Sequence, residues 1–242
     1  MKASHFFPEE VIDLNFYRDW IARRKKERDS DKKKTFFVTI SRDFGCEGWE
    51  LAEKLIERLN HQAPGKWSSF TRKMIETIVA DEQLDPEMIH EISEKKWSLK
   101  DWFVDALVPG YLQSDSSHVF RKMKYFILNL ADKGNCVILG SGAQVITHNL
   151  DPEKFFGVHI RVTAPDIWKM RRVMEVFKLD RGQAEKKLKE NQGTRDHFMA
   201  DFTGYEATDA SLYTMVLNNA RCSSDDMAEM IFQYLKAQGA FR

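Results

Sequence analysis

The residues with the most chemical content form one string, Ser41-Arg42-Asp43-Phe44-Gly45-Cys46-Glu47-Gly48-Trp49-Glu50. An apolar run, Phe36 to Ile40, enters it, and a helical pattern, Trp49 to Asn60, leaves it. A strand that runs into a glycine turn and opens directly into a helix can wrap a phosphate. Backbone N–H groups converge on the anion, and the helix N-terminus adds a favourable field. Arg42 lies in the turn itself. Lys169 and Arg172 stand three apart on a later predicted helix, hence on one face, and Arg195 follows in a polar helical segment. Cations around a glycine turn suit phosphoryl transfer, where catalysis is mostly positioning and charge neutralisation. The plainer alternative is an ordinary strand-to-helix turn with solvated cations on neighbouring helices. The full GxxxxGK[ST] string is absent.

Other reactive side chains carry less. Cys46 falls at a predicted helix N-terminus, where a thiolate is favoured, but no histidine is close in sequence and it reads as a small turn residue. Asp209 is either an anchor for an arginine or a turn residue before Ser211. The seven histidines show no HExxH or similar spacing, so no metal cluster is assigned.

These residues need a scaffold. The chain has 242 residues, 43% hydrophobic and 31% charged, with formal charges that cancel. That length supports one domain with insertions, and the balanced charge gives no global pull toward nucleic acid or membrane. Three separated cysteines without a CxxC pair argue against a disulfide framework or a thiolate zinc site. They fit a reducing, cytoplasmic setting. No apolar run is long enough to span a membrane, and the N-terminus does not read as a signal peptide.

Strands are expected at Phe36–Ile40, in CVIL from Cys136, in FGVHIRVT from Phe156 and in YTMVLNN from Tyr213. Helices are expected between them. Leu51, Leu55 and Leu59 line one, and Met123, Phe126, Ile127 and Leu130 line another that Gly134 stops. Ser223 with Asp226 caps the last. An N-terminal helix over 8–28 carries an Ile12–Phe16–Trp20 stripe, which packs on the body or against a second subunit or protein partner. A basic stretch (RRKKER, then DSDKKK) follows as a solvated linker, with a phosphate-rich partner as the alternative. The segment FTRKMIETIVA reads as helical, as does the run from Asp85, and Trp97, Trp102, Phe103 and Leu107 follow as core or cleft residues. The polar helices at 166–200 have weak apolar faces and read as standing partly off the body. Short strands alternating with helices predict a three-layer α/β fold with a parallel sheet.

The ordered set of motifs resembles the cytidylate kinase-like family, a branch of the P-loop nucleoside monophosphate kinases. SRDFGCEGWELA, Ser41 to Ala52, resembles the family's SREYGSGGREIA. LGSGA, Leu139 to Ala143, resembles its GRGA turn, and TAPDIWKMRR, Thr163 to Arg172, its AP-plus-arginine helix. Arg195, His197, Phe198 and Phe202-Thr203-Gly204 resemble its lid, and YTMVLNN its final strand. The resemblance spans about residues 35 to 235. It implies a helical lid over 173–209, an acceptor-binding insert over 66–117, and residues 1–34 as an addition. It also implies ATP and Mg2+ as cofactors and phosphoryl transfer to a nucleotide, CMP or dCMP. The donor would lie on Ser41, Arg42, Phe44, Gly45, Cys46, Gly48, Trp49 and Glu50, with Arg42, Lys169, Arg172 and Arg195 as the transfer cations.

Three departures bear on that implication. Trp49 stands where the family has an arginine, and an indole offers one N–H and no charge. Glu47 replaces a glycine in the turn, and Ser141 replaces the arginine of the GRGA turn. Trp49 and Ser141 remove positive charge from one anion site, and Glu47 would point negative charge toward it unless it turns outward. Trp49 is expected to leave phosphate alone and pack near the loop mouth, on aromatics of the 97–103 segment or on a ligand ring. The rival function is a catalytically impaired nucleotide- or anion-binding protein that acts through a partner surface.

Overall fold

The computed structural model describes residues 19–24, 34–62, 65–72, 74–75 and 115–241, with the side chains of 115–121 and 202 excepted. The expectations for Ile12, Phe16, residues 25–33 of the basic stretch, the run from Asp85 and the 97–103 aromatics lie outside the described residues, whereas Arg24, read as solvated, is part-buried.

The chain order is β1 (Thr35–Arg42), α1 (Gly48–Gln62), β2 (Ser68–Thr71), α2 (Asp115–Lys133), β3 (Cys136–Leu139), α3 (Ala143–Thr147), β4 (Phe155–Thr163), α4 (Asp166–Phe177), α5 (Arg181–Thr203), a 3-10 turn at Ala210–Leu212, β5 (Met215–Asn218) and α6 (Ser224–Ala237). The five strands form one sheet in the order β2-β3-β1-β4-β5. Every pairing is parallel, with β1 central. Parallel strands need both faces covered, and strand parity shows how this is done. Val38, Ile40, Val137 and Leu139 face a cluster with Leu51, Leu55 and Leu59 of α1 and Met227, Ile231 and Leu235 of α6. Phe37, Cys136 and Ile138 face the other side, where Met123, Phe126, Ile127 and Leu130 of α2 pack. Each fully buried α1 leucine contributes about 1.5–3 kcal/mol through apolar burial.

The N-terminal helical residues belong to this second layer. Trp20 is fully buried and meets Phe70 edge-on, with ring centroids 4.9 Å apart. Arg24 donates to the Lys133 carbonyl from Nε at 3.0 Å and Nη2 at 2.8 Å, capping the C-terminus of α2. The Ser223–Asp226 capping box is formed as expected.

Two expectations need correction. Phe70 and Thr71, read as helical, are strand residues of β2. The strand SSFT is short and polar on alternate positions, so pairing with β3 and burial of Phe70 decide its state rather than local propensity. The polar helix α5 does not stand off the body. Ala184 and Met199 are fully buried, and α5 packs on α4 through Ala184 and Leu188. Its apolar contacts are too widely spaced to give a helical stripe in sequence, and its remaining contacts are polar.

Candidate functional site

The chain leaves β1, goes out to β2, returns to β3 and crosses to β4 on the far side of β1. In open α/β sheets, ligands bind at such a reversal, outside the carboxyl ends of the strands. The loop 43–47 lies there, between β1 and α1. Asp43 N donates to the Val162 carbonyl at 3.0 Å, tying the loop to the end of β4. Gly45 has φ 95°, a conformation that favours glycine. A Cβ there would also stand 3.0 Å from Lys169 Cβ, so the loop lies directly on α4. Gly48, the first residue of α1, has a different reason. A Cβ on it would stand 2.8 Å from Arg42 Cδ and 2.9 Å from Cγ. The arm of Arg42 is thus laid across the start of α1.

The expected cations separate into two groups. Lys169 and Arg172 are buried and held by carboxylates. Lys169 Nζ lies 3.1 Å from Asp43 Oδ2 and 2.8 Å from Asp166 Oδ1. Burial by itself lowers its pKa, but the Asp166 hydrogen bond and the Asp43 charge outweigh that and raise it. Arg172 forks between Glu47 and Glu50, at 2.5 Å to the latter. Burial nevertheless holds the Glu50 carboxyl above its ordinary value. Glu47 Oε2 also accepts from Ser224 Oγ at 2.8 Å and Asn219 Nδ2 at 3.3 Å. The acid that replaces a turn glycine therefore points away from the loop interior, into a polar socket.

The second group is Arg42, Arg72 and Arg195. Arg195 Nη1 donates to the Arg42 carbonyl at 2.9 Å, and its guanidinium lies 5.4 Å from the centre of the Phe44 ring. Arg72 rests on the Phe198 ring of α5 at 4.1 Å. Arg42 is pushed down to about 9, by burial first and then by the charges of Arg195 and Arg72. Burial also lowers Arg195, with Asp43 opposing and Arg72 adding to it. Among the described residues no carboxylate lies within ion-pair distance of the Arg42 or Arg195 side chains.

The remaining candidates fill supporting places. Ser41 is buried at the end of β1. Phe44 is buried and stacks on Phe177 at 6.3 Å. Its amide donates to Gln192 Oε1 of α5 at 2.8 Å, and the Glu47 amide donates to Asn219 Oδ1 at 2.7 Å. Cys46 is buried, and its thiol is pushed up to about 12 by burial and then by Asp43. This agrees with the small-turn-residue reading. Trp49 is half-buried and packs on the apolar layer between α1 and α6. Ser141 is half-buried in the β3–α3 turn. Asp209 accepts from Ser211 N at 2.9 Å and Oγ at 2.7 Å, so it is the turn residue.

Sequence reading missed the hub of the site. Asp43 is buried and accepts from Arg161 Nη2 at 2.7 Å, Thr163 Oγ1 at 2.8 Å and Lys169. An acid inside the glycine string next to a cation-bearing strand end was the available signal. Arg72, Gln192 and Asn219 had none, because only the folded topology brings them to the loop.

Residues 37–221 match the profile described as Cytidylate kinase-like family, well over half of the chain. No curated protein matches it. Among solved structures, the chain is similar to an uncharacterized protein from Eubacterium ventriosum, with TM-score 0.63 and 17% identity, covering 84% of this chain and 99% of that one. TT1252 from Thermus thermophilus aligns with TM-score 0.42 and 13% identity over 85% of this chain and 98% of that one. A dephospho-CoA kinase from Campylobacter jejuni aligns with TM-score 0.35 and 13% identity, over 85% and 98%.

Proposed function

Because the chain belongs to the cytidylate kinase-like family, we propose that it binds a nucleoside triphosphate at the 41–50 loop and transfers its terminal phosphoryl group to a nucleoside monophosphate, CMP or dCMP by resemblance. The observation that supports this is Arg195 bonded to the Arg42 carbonyl at a strand-glycine-helix loop, with the Arg42 arm laid across the start of α1. An anion beside Arg42 and Arg195 would relieve the repulsion between their charges. In the transfer, the bond from the γ-phosphorus to the β–γ bridging oxygen breaks as a bond to an acceptor phosphate oxygen forms. Arg42 and Arg195 stabilise the negative charge on the moving group. Lys169, fixed by Asp43, borders the same loop.

Magnesium ordinarily accompanies a triphosphate. Among the described residues, the donor set beside this loop does not fit it. The residue after Trp49, where a hydroxyl would hold the ion, is Glu50, and it is bonded to Arg172. Asp43 and Glu47 are likewise saturated by cations and hydrogen-bond donors. Among the described residues no three His, Cys, Asp or Glu side chains are grouped to hold a metal.

A second reading is favoured by the same loop: a member that binds nucleotide without turning it over and acts through a partner surface. Trp49 supplies no charge, Arg172 is engaged by two carboxylates, and the amides of Phe44 and Glu47 already donate within the protein. Coupled measurement of ADP formation with the common monophosphates, beside calorimetry with ATP, separates the two. Turnover with CMP or dCMP is the expected result. ATP binding without turnover on any acceptor would overturn the first reading in favour of the second.

A further inference from the structure

We infer that Gln192 of α5 occupies the place of a phosphate oxygen on the 43–47 loop, so that the free protein competes with its own ligand for that loop. This rests on the nucleotide-binding reading above and names how the same site is regulated. Gln192 Oε1 accepts from the Phe44 amide at 2.8 Å. Main-chain N–H groups in a turn between a strand and a helix are the donors that cradle a phosphate. A side-chain carbonyl is a neutral substitute for the anion's oxygen. The other end of the glutamine is tied locally, Nε2 donating to Asp196 Oδ1 at 2.9 Å, four residues on in the same helix. The Glu47 amide makes the contrast. Its acceptor is Asn219 Oδ1 at 2.7 Å, and Nδ2 of that side chain is fixed by Glu47 Oε2 at 3.3 Å and the Cys222 carbonyl at 3.4 Å. Asn219 is buried and built in, whereas Gln192 is half-buried and can leave.

Helix α5 lies over the loop as a strap fastened at both ends. Near its start, Ala184 and Leu188 pack in one apolar cluster with Phe44, Val173 and Phe177. Near its end, Met199 is fully buried with Val145, Ala207 and Leu212, and a Cβ on Gly142 would stand 3.4 Å from the Phe198 ring. Between these anchors, polar bonds reach the loop backbone: Gln192 to the Phe44 amide, and Arg195 Nη1 to the Arg42 carbonyl at 2.9 Å. Apolar burial holds the strap, so losing one hydrogen bond at its middle does not undo it. Gly193 follows Gln192, and among the described residues a Cβ there would meet nothing within 4 Å. A glycine that packing does not require weakens the helix where it touches the loop. A ligand that needs the Phe44 N–H binds only while Gln192 is off it. Its apparent affinity is reduced by the fraction of time the amide is open.

Calorimetric titration of the full chain and of two variants with ATP and with inorganic pyrophosphate, beside hydrogen exchange of the Phe44 amide read by NMR, tests this. Gln192→Ala removes the acceptor and keeps helix propensity, and should tighten both probes roughly threefold to tenfold. Gln192→Glu keeps the acceptor and adds a negative charge, and should weaken both about tenfold or more. Phe44 exchange should quicken in free Gln192→Ala and return to the wild-type rate once pyrophosphate is bound, because the anion then holds the amide in both. Wild-type binding that Gln192→Ala leaves unchanged or weakens would overturn this inference and leave the nucleotide-binding reading standing. So would a Phe44 amide whose protection in the liganded protein still depends on Gln192. Binding by Gln192→Ala where the wild type shows none would support both. No binding of either probe by any of the three proteins would overturn both.

Discussion

Two groups of cations flank one loop, and they do different work. Arg161, Lys169 and Arg172 are closed off by Asp43, Asp166, Glu47 and Glu50. Arg42 and Arg195 have no such partner within ion-pair distance among the described residues, and with Arg72 they crowd one another. A buried pair costs desolvation and gains little net stability, but breaking it strands a charge. Two buried cations without such a partner, Arg42 and Arg195, cost stability as they stand and would recover it if an anion arrived. The first group holds the loop in shape, and the second holds the charge that a ligand would meet.

The largest effect should come from breaking the closed group. Asp43→Asn leaves Arg161 and Lys169 buried beside a neutral amide and should destabilise the protein by about 3–5 kcal/mol, measured by urea denaturation. A loss below about 1 kcal/mol would show that these cations relax to solvent.

The open group should respond in the opposite sense. Arg42→Gln should leave the unfolding midpoint unchanged or raise it, while ATP affinity falls about tenfold, or ~1.4 kcal/mol. Destabilisation comparable to Asp43→Asn would erase the distinction between the groups.

A smaller change tests whether the loop can regain charge. Trp49→Arg, alone or with Glu47→Gly, should tighten ATP binding roughly threefold to tenfold, ~0.7–1.4 kcal/mol, and adding Ser141→Arg should raise any kinase rate. Tight wild-type binding that collapses on Trp49→Arg would make the indole a ligand contact.

Proton linkage sharpens the same contrast. Arg42 sits at about 9 in the folded chain against an ordinary 12.5. The cost of keeping it charged is present in full below about 9. It is relieved as pH rises above that value, where the unfolded chain binds the extra proton. Stability should therefore gain with pH in that window while ATP affinity falls a few-fold, readable by paired melting and titration series. An affinity flat from about pH 8 to 10 would mean that Arg42 takes up no proton on binding, so that the ligand does not engage its charge or the free protein keeps it protonated.

The smallest effect concerns Cys46, whose thiol burial and Asp43 push up to about 12. It should alkylate far more slowly than the part-exposed Cys222 at about pH 8. Mass spectrometry of iodoacetamide-treated protein checks the order. Cys46 labelled first would show the loop opening on its own.

Much of the scaffold was legible before folding. Four of the five strands announce themselves through β-branched and aromatic runs, because buried parallel strands must be apolar on both faces. The exception, β2, has only Phe70 as an anchor, and its pairing is decided by β3 and Trp20. At the site, local signals located the loop and ranked Arg42 and Arg195 beside Lys169 and Arg172. They could not separate free from neutralised cations. That depends on Asp43 meeting Arg161 across 118 positions and Glu47 meeting Arg172 across 125, distances over which a sequence carries no periodic trace. Trp49 packs against a layer that includes α6 residues some 180 positions away.

The bond from Arg24 to the Lys133 carbonyl joins groups 109 positions apart. On a ribosome, the guanidinium emerges long before the carbonyl it will cap, and Trp20 emerges before the strand that carries Phe70. Helical residues 19–24 must therefore wait through the synthesis of α1, β2 and α2, at roughly 5–20 residues per second, before their seat exists. Residues 19–24 are fastened among the later events of folding, and the β2 edge of the sheet is complete only when they come back to it.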